Sequence, residues 1–540
     1  MRMNMRKIPL ICASAALIAF AGLVTKAASA PKKSVGAQGK PTESESMRLP
    51  VKEIRLENGL VILVVERKGA PVFASYIVTA VGSANEKPGA IGAAHFLEHM
   101  LFKGTQRIGT RDYTAEQELM DKQDSVWNHI DRARHELRYA RLSGDTTKIA
   151  AHERKTGNLE ALLDSLVADE SLFVVKNEYE AMYTRRGAVG FNASTGYDFT
   201  DYIVSFPSNQ LETWFVTEAD RMKRPVLREF YAERDVILEE RRMRVDNEGE
   251  GKLFEQFIGT AFVAHPYQLF WEWASDQGNI KRETLEAFHR QFYAPNRTAV
   301  ALVGNISYTE VKTFAEKYWT DIPRQSEPDP VYTVEPEQTG ERRVSVTFDA
   351  TPALYIGYHK GAFDNPDEPV FALLERILAD GRSSRLYKKL VTEWQLCSDI
   401  SVATFPGAEQ GDVYPNLFYI SAYPKEGVES RLVEDSVYSV LRTLTATPVT
   451  ERELAKARNN FESDFIWSFD NSSGLAAKLA QYESTAHDWR FMLTRLAAVR
   501  AVAAKDISRV AQSYFTQQNR TVATLIPAEM TPAVTEAKSK

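Results

Sequence analysis

The chain has 540 residues, of which 44% are hydrophobic and 26% are charged. These proportions are typical of a globular protein, and the length predicts two or more domains. The formal net charge of −6, in a sequence without a long basic run, argues against a general nucleic-acid-binding protein.

The first 30 residues have the parts of a secretory signal peptide. A short basic stretch, MRMNMRK, precedes the apolar run IPLICASAALIAFAGLV and the small residues AASA, which predict cleavage near Ala30. The alternative is an uncleaved signal that anchors the chain in a membrane. No later stretch of the sequence is apolar enough to span a bilayer. We therefore expect a periplasmic or secreted bacterial protein with no membrane span once the signal is removed.

The cysteines limit both disulfides and metal ligands. The chain has two, and Cys12 lies in the predicted signal peptide. The mature protein would keep only Cys397, which excludes an internal disulfide. Because one thiol cannot build a zinc site, any metal must be held by His, Asp or Glu.

The rest of the chain divides by composition. Residues 31–47 are rich in Ser, Pro and charge, and predict a flexible leader. A first domain is predicted over residues 48–325, a linker rich in Pro and acid over 326–340, and a second domain over 341–535. In the first domain, alternating apolar residues on both sides of Glu57-Asn58-Gly59 predict two strands joined by a turn. The segment IGAAHFLEHMLF predicts a helix.

The stretch at about 113–169 has a different character from its surroundings. It is charged, rich in helix formers and broken once, at Ser143-Gly144-Asp145, which predicts a helical hairpin inserted in the first domain. Its histidines lie among Arg, Lys and Glu, so solvated helix faces explain them better than metal ligation does. These histidines are His129, His135 and His152.

One short segment of the sequence occurs twice. NRTAVALV at residues 296–303 and NRTVATLI at residues 519–526 each follow an amphipathic helical pattern, TLEAFHRQFY and DISRVAQSYF. The same order of elements around both copies predicts two related α/β domains, and therefore an α+β chain with two homologous halves.

The most informative short segment is HFLEH at residues 95–99, which holds two of the nine histidines. On a helix, positions i, i+3 and i+4 share one face, so His95, Glu98 and His99 point the same way. Two imidazoles at this spacing can hold one Zn²⁺, and Glu98 can take a proton from zinc-bound water. This HxxEH order is the inverted zinc-peptidase signature. The alternative is a helix with two half-buried histidines.

A catalytic zinc also needs a third protein ligand. The best source is REFYAERDVILEERRMRVDNEGEG, a predicted helix that carries Glu233, Glu239 and Glu240. Glu233 and Glu240 are separated by roughly two helical turns and lie on one stripe, so Glu240 would reach the metal while Glu233 supports the site. Spacing alone leaves Glu239 and Glu240 both open as the ligand. A charged helix with Glu–Arg pairs is the alternative without a metal.

Four segments in the same order carry a resemblance to a known family. HFLEHMLFKGT, GFNASTGYDFTDYIVSF, ERDVILEERRM and HPY at residues 265–267 resemble segments of the pitrilysin/insulinase family of zinc metallopeptidases. The resemblance covers essentially the whole chain after residue 48. The length is similar to that of half-size bacterial members and of mitochondrial processing peptidase subunits. The resemblance implies two similar α/β domains facing each other, and two such units closing around a chamber.

The resemblance also implies a role for each matched residue. The ligands of one Zn²⁺ per chain would be His95, His99 and Glu240. Glu98 would be the general base, and Glu233 would support the site. Asn192 and Ala193 would lie on an edge strand, whose unpaired N–H and C=O groups let an extended peptide add as a new strand.

Two features depart from the family pattern. The gap between His99 and Glu240 is longer than usual, and the helical insertion accounts for the excess; it would line the chamber mouth or contact a partner. In addition, active members carry an Arg and a Tyr seven residues apart that hold the substrate. The matching positions here are Val391 and Ser398. We therefore expect a heterodimer with a metal-free paralogous subunit that supplies the Arg/Tyr pair, with a homodimer as the alternative.

The predicted function is a zinc-dependent endopeptidase that hydrolyses peptides or short unfolded segments inside a closed chamber, with Glu98 activating the water. One alternative is a non-catalytic assembly or binding subunit of the same fold, but all four metal-site residues are present in the sequence. Another is a zinc hydrolase for non-peptide substrates. The predicted edge strand at Phe191–Thr195 argues against that alternative.

Overall fold

The computed structural model describes residues 49–407 and 411–528, which form two β-sheets covered by helices. The predicted α+β class is thereby confirmed. The predicted signal peptide and leader, and the last residues of the predicted second domain, lie outside the described residues. Residues 323–341, around the predicted linker, contain no helix or strand, and the predicted domain boundaries stay predictions. In the described part of the chain, no helix combines the length and the apolar character that crossing a membrane requires.

The first half of the chain contains six strands and ten α-helices among the described residues. The strands are β1 (Lys52–Arg55), β2 (Val61–Glu66), β3 (Val72–Thr79), β4 (Val189–Thr195), β5 (Thr200–Pro207) and β6 (Thr298–Gly304). The first helices are α1 (Ala93–Met100), α2 (Tyr113–Ser143), α3 (Thr146–Ser171), α4 (Glu178–Arg185) and α5 (Leu211–Lys223). They are followed by α6 (Phe230–Arg241), α7 (Gly249–Ala261), α8 (Ala274–Gln277), α9 (Arg282–Phe292) and α10 (Tyr308–Tyr318).

The second half contains five strands and six α-helices among the described residues. The strands are β7 (Arg342–Phe348), β8 (Ala353–Lys360), β9 (Cys397–Phe405), β10 (Asn416–Pro424) and β11 (Arg520–Pro527). The helices are α11 (Glu368–Ala379), α12 (Ser430–Ala446), α13 (Glu451–Trp467), α14 (Ser472–Ala486), α15 (Phe491–Ala501) and α16 (Ala504–Tyr514). A π-helical segment at Tyr387–Glu393 precedes β9.

The two sheets share a topology, except that β1 has no counterpart among the described strands of the second sheet. The first has the order β1-β2-β6-β3-β5-β4 and the second the order β7-β11-β8-β10-β9. The repeated NRT segments lead into β6 and β11, which follow α9 and α16 and lie at matching places. Each is parallel to one neighbour, β2 or β7, and antiparallel to the other, β3 or β8. The sequence repeat therefore marks a structural repeat, and β4 and β9 are the matching edge strands.

The two halves exchange a helix. Helix α7 of the first half packs its Leu253 and Phe257 against the second sheet, beside Tyr355 and Leu525. Helix α14 of the second half packs on β3 and β6 of the first sheet, in a core that joins Leu479 to residues of both strands. The opposite face of the first sheet is covered by α1, α5 and α9 in the largest apolar core. The exchange places a helix of the second half against the sheet of the first half.

The predicted helical hairpin is formed by α2 and α3. The Asp112 carboxylate accepts hydrogen bonds from backbone N–H groups at the start of α2. Gly144 ends the helix in the left-handed conformation, with φ of 69°, and the Asp145 side chain caps α3. The break predicted at Ser143–Asp145 is therefore a C-cap glycine followed by an N-cap aspartate.

Candidate metal centre

Helix α1, which carries the HxxEH segment, begins in a fixed position. The Glu86 carboxylate accepts hydrogen bonds from the backbone N–H groups of Gly92 (2.8 Å) and Ala94 (2.7 Å), which have no partner inside the helix. Gly92 has φ of 97°, and a Cβ atom there would lie 2.1 Å from Gln277 Nε2, so the position requires glycine. Burial raises the pKa of Glu86 to about 8, despite these two hydrogen bonds.

The fold brings the side chains of His95, His99 and Glu240 together. The Nε2 atoms of the two histidines are 3.2 Å apart, and Glu240 Oε2 lies 3.7 Å from that of His95 and 3.8 Å from that of His99. Donors held at about 2 Å from a tetrahedral zinc are roughly 3.3 Å from one another. Glu240 Oε2 is buried and has no hydrogen-bond partner among the described residues, which is costly for a carboxylate oxygen. The donor set and its spacing therefore fit a Zn²⁺ ion.

Glu239, which spacing alone left open as a ligand, points elsewhere. Its side chain is 56% exposed and forms an ion pair with Arg242 over 2.6 Å. Glu240 is 13% exposed and faces the two histidines from α6. The rotation of α6 thus separates two adjacent glutamates that the sequence could not distinguish.

Glu233 lies on the same stripe of α6 as Glu240 and contacts His99. His99 Nδ1 and Glu233 Oε1 are 2.9 Å apart, and Lys103 Nζ is 2.5 Å from the other oxygen. Burial alone would raise the pKa of Glu233, but the hydrogen bond from His99 and the charge of Lys103 lower it to about 2. The ionised carboxylate accepts the Nδ1 proton, which leaves the Nε2 lone pair of His99 directed at the three-donor site.

Sequence reasoning missed the corresponding support of the first histidine. Glu272 Oε1 lies 3.1 Å from His95 Nδ1, and the side chain is buried. Burial disfavours the imidazolium, but the Glu272 carboxylate outweighs it and raises the pKa of His95 to about 9. The available signal was an acidic residue inside the apolar run FWEWA, just after HPY. Arg241 donates to the backbone carbonyl of Glu272 over 2.7 Å, so α6 and this loop are tied together.

Glu98 lies beside the edge strand of the first sheet. Its side chain is 4% exposed, and Oε2 accepts a hydrogen bond from Thr195 Oγ1 over 2.7 Å. Thr195 ends β4, the edge strand predicted to bind substrate, and Asn192 and Ala193 lie on the same strand. The carboxylate of Glu98 and the three donor atoms therefore lie beside an edge strand of the first sheet.

The helical hairpin braces the start of α6. Arg228, just before α6, is fully buried, and its Nε donates to Glu116 of α2 over 2.7 Å. Its other nitrogens donate to three backbone carbonyls in the segment after α1. Glu170 of α3 accepts the backbone N–H of Glu229, which has the unusual φ of 55°. The insertion thus holds the helix that carries Glu233 and Glu240.

A cavity of about 590 Å³ opens onto the site. Its lining includes His95 and Glu98 from α1, Trp271 from the loop before α8, and residues of β4 and β5. The far wall is made by α14 of the second half, through Lys478 and Gln481. The cavity therefore extends from His95 and Glu98 across β4 to α14.

The positions expected for an Arg/Tyr pair lie in the second half. Val391 is in the π-helical segment before β9 and packs against the second core, while Ser398 is exposed at the start of β9. Arg385 forms an ion pair with Glu453 over 2.9 Å. Neither Val391 nor Ser398 lines the cavity beside His95 and Glu98.

Two segments of the chain match known protein families, and most of its length matches a known protein. Residues 61–135 match the insulinase family (peptidase family M16), and residues 279–461 match the family described as the peptidase M16 inactive domain. The zinc protease PqqE of Helicobacter pylori is 27% identical over 485 residues, which cover 88% of this chain and 92% of that protein.

Solved structures share the whole fold. The crystal structure of a protease from Helicobacter pylori superposes with a TM-score of 0.71 at 25% identity, over 88% of this chain and 99% of that chain. The periplasmic protease PqqL from Escherichia coli superposes with a TM-score of 0.63 at 13% identity, over 90% of this chain and 48% of that chain. The two-sheet unit thus corresponds to about half the length of PqqL.

Proposed function

Because the chain belongs to the insulinase family of zinc peptidases, family M16, we propose that it is a zinc-dependent endopeptidase. The observation that carries this proposal is the convergence of His95 Nε2, His99 Nε2 and Glu240 Oε2 next to the buried carboxylate of Glu98. The Nδ1 atom of each histidine faces a carboxylate that holds the Nδ1 proton, so Nε2 is the nitrogen that would bind a metal.

The chemistry is peptide-bond hydrolysis with Glu98 as the general base. His95, His99 and Glu240 would hold a zinc ion, which would supply the Lewis acidity that polarises a peptide carbonyl and lowers the pKa of water. Glu98 Oε2 is held by Thr195, so Oε1 is the atom that accepts the proton. The hydroxide oxygen bonds to the carbonyl carbon, the C–N bond breaks, and Glu98 returns its proton to the leaving amine.

The substrate is an extended peptide bound along β4. An edge strand offers unpaired N–H and C=O groups, so main-chain pairing accepts many sequences. Asn192 and Ala193 lie on this strand within a few residues of Thr195, which contacts Glu98. Peptides and short unfolded segments can adopt the required extended form, whereas folded proteins offer few free strands.

The working unit is a pair of such chains that closes around a chamber. The chain covers 48% of PqqL, which is consistent with a two-unit assembly. Val391 and Ser398 stand where the family places its Arg/Tyr pair, so a metal-free paralogous subunit is the proposed partner and a homodimer the alternative. The signal-like sequence at the N-terminus supports a mature protein in the periplasm or outside the cell.

The test is cleavage of an unstructured peptide by the mature chain, alone and mixed with a co-purifying paralogue, with zinc content measured in parallel. Zinc-dependent cleavage in either sample supports the proposal. Cleavage only in the mixture supports the heterodimer, and full activity alone overturns an obligatory partner. A chain that binds zinc yet cleaves no peptide in either sample overturns the endopeptidase assignment.

A further inference from the structure

The outer half of the helical hairpin takes no part in the candidate metal centre. Ile130 of α2 and Leu163 of α3 belong to the first apolar core, and Leu142 lies roughly 18 Å farther along α2 than Ile130. Within the described chain, the hydrogen bonds and ion pairs of residues 135–156 connect only residues of the hairpin itself. The outer half is therefore a surface element whose role the proposed peptidase activity does not explain.

This part of the hairpin is basic, although the chain as a whole is acidic. Residues 132–155 contain seven Lys or Arg and three Asp or Glu, which gives a formal charge of +4. The whole chain carries −6, so the remaining residues carry −10. A local charge of opposite sign to that of the rest of the protein indicates a surface that meets a negatively charged partner.

The side of α2 that faces away from α3 carries the excess of basic residues. Ala133 and Ala140, seven residues apart, are buried and mark the side that packs on α3. Glu136, the one acidic residue between positions 134 and 142, pairs with Lys155 of α3 over 2.7 Å. On the outer side lie two adjacent stripes at i, i+4 and i+7, whose six residues are all exposed: Arg134, Arg138 and Arg141, and His135, Tyr139 and Leu142.

This outer face also exposes two large apolar side chains. Tyr139 is 71% exposed and Leu142 is 76% exposed, and they are neighbours on the helix surface because they lie three positions apart. Arg138 lies beside them and has no carboxylate partner among the described residues. The other two arginines of the face pair only with exposed glutamates of α3, and such pairs contribute little in water. Cations and apolar surface are thus offered together.

We propose that this outer face, at residues 134–142 of α2, binds a phospholipid surface that carries negative charge. Arginines attract anionic headgroups, a tyrosine ring lies at the headgroup level, and a leucine enters the acyl boundary. A protein partner fits less well, because stable protein interfaces take about 20–30 residues from each side and this face offers six. The inference goes beyond the proposed peptidase activity and does not depend on zinc.

The contact is weak and reversible. Three arginines and two apolar side chains give far less affinity than a membrane-spanning helix does, and salt screens their attraction to anionic headgroups. The hairpin would therefore hold the chain at a membrane surface without inserting it.

The experiment is co-sedimentation of the chain with vesicles, using the chain without residues 1–30, because the apolar signal-like segment would itself bind lipid. One set of vesicles is phosphatidylcholine, and the other is an equimolar mixture of phosphatidylcholine and phosphatidylglycerol. The chain should bind the anionic vesicles at least about tenfold more tightly than the neutral ones, and added salt should weaken this binding.

Two variants of the hairpin test the two kinds of contact. Tyr139→Ser combined with Leu142→Ser removes the apolar contacts and should weaken binding to anionic vesicles roughly tenfold. Arg138→Gln removes one cation without breaking an ion pair and should weaken binding about fivefold. All three residues are exposed, so both variants should fold and cleave peptide as the unmodified chain does.

Matched controls make the same replacements at exposed positions outside the hairpin. They are Tyr332→Ser combined with Leu432→Ser, and Arg452→Gln of α13. Neither control should change vesicle binding. Controls that weaken it as much as the hairpin variants do would show that the contact is not specific to this face, and would overturn the proposal.

The remaining outcomes separate this inference from its rivals. Equal binding to neutral and anionic vesicles, no binding to either, or binding that the hairpin variants leave unchanged overturns the proposal. If the hairpin variants instead weaken association with a second copy of the chain or with a paralogue, and no vesicle is bound, the face is a protein interface. A chain that binds anionic vesicles through this face but cleaves no peptide supports the inference and counts only against the peptidase proposal.

Discussion

Glu98 and Glu375 occupy equivalent places in the two halves of the chain. Thr195 on β4 donates a hydrogen bond to Glu98 over 2.7 Å, and Thr404 on β9 donates one to Glu375 over 2.9 Å. Both threonines lie on the edge strand of their sheet, and both glutamates lie on the helix that follows the matching strand, β3 or β8. The second half therefore retains the contact that orients the proposed general base.

The strand pairing across the two sheets agrees with this equivalence. The paired residues across the first sheet are Val300, Ile77, Tyr202 and Ala193, and those across the second are Val522, Ile356, Ile420 and Val402. Val300 and Val522 both belong to the core on the face covered by the helix that carries the glutamate, α1 or α11. On the edge strands, Thr195 lies two residues after Ala193, and Thr404 lies two residues after Val402.

The second half has no counterparts of the two proposed histidine ligands. His95 lies three residues before Glu98, and the residue three before Glu375 is Ala372. His99 follows Glu98 directly, and the residue that follows Glu375 is Arg376. Alanine offers no donor atom, and a guanidinium does not ligate zinc. One zinc per chain is therefore the expected content, held in the first half.

The general-base assignment predicts different outcomes for two matched substitutions. Glu98→Gln should keep zinc and lower kcat by roughly 10²-fold to 10⁴-fold or more, because an amide cannot accept the proton from water. Glu375→Gln changes the same side chain in the same contact with an edge-strand threonine, and should leave kcat and zinc content unchanged. Metal analysis and steady-state peptide cleavage measure both. Normal turnover in Glu98→Gln would show that another group takes the proton.

Local spacing brings one part of the candidate site together, and long-range packing brings the rest, which the sequence did not reveal. His95, Glu98 and His99 lie within one helical turn and a half, so helix geometry alone brings them together. Glu272 lies far along the chain, in a loop that only the completed fold brings to His95. Thr195 contacts Glu98 because β4 is an edge strand, which depends on the whole sheet order.

The fold was predictable to the same extent and for a similar reason. The repeat of Asn296-Arg297-Thr298 at Asn519-Arg520-Thr521 predicted two related halves, because both copies enter a central strand through the same turn. The exchange of α7 and α14 between the sheets was not predictable. Each helix has an ordinary amphipathic pattern, and such a pattern states which face is buried without identifying the surface that buries it.

The choice of metal ligand on α6 is tested by two adjacent substitutions. Glu240→Gln should weaken zinc binding at least about 100-fold, because it removes the charge of the one carboxylate that faces both histidines. Glu239→Gln removes only an exposed ion pair with Arg242 and should leave zinc affinity unchanged. Competition with a chromophoric chelator measures both affinities. The reverse order would mean that α6 is rotated relative to the described position.

The brace between the hairpin and α6 predicts a coupled loss of stability and metal binding. Arg228→Met leaves Glu116 buried without its partner, which should cost about 3–5 kcal/mol of unfolding free energy. Zinc affinity should fall as well, since the start of α6 loses its anchor. Arg141→Met breaks an exposed pair with Glu153 farther along the same hairpin and should cost at most about 1 kcal/mol. Denaturant unfolding and zinc titration of both variants decide the matter. Equal losses of stability and zinc affinity in the two variants would show that the hairpin does not hold α6 in place.

The buried environment of Asp198 predicts that a contact between the two halves depends on pH. Its Oδ2 accepts hydrogen bonds from the Tyr267 hydroxyl and from the backbone N–H of Val413, which lies in the second half. Burial raises the pKa of Asp198 to about 7, although the hydrogen bond from Tyr267 opposes this rise. The folded chain therefore binds a proton at Asp198 over a pH range in which the unfolded chain has released it.

The stability contributed by this proton is present below about pH 4 and is lost as the pH rises through about 7, because the folded state binds more protons across that window. Asp198→Asn removes this titration while its amide oxygen still accepts both hydrogen bonds. Its unfolding free energy, relative to that of the unmodified chain, should increase by roughly 2–4 kcal/mol between pH 4 and pH 8. Asp364→Asn, which removes an exposed carboxylate, reports the effect of the charge change alone. Denaturant unfolding of the three proteins at several pH values measures the trend. A difference that stays flat, or that falls with pH, would mean that Asp198 is ionised throughout this range.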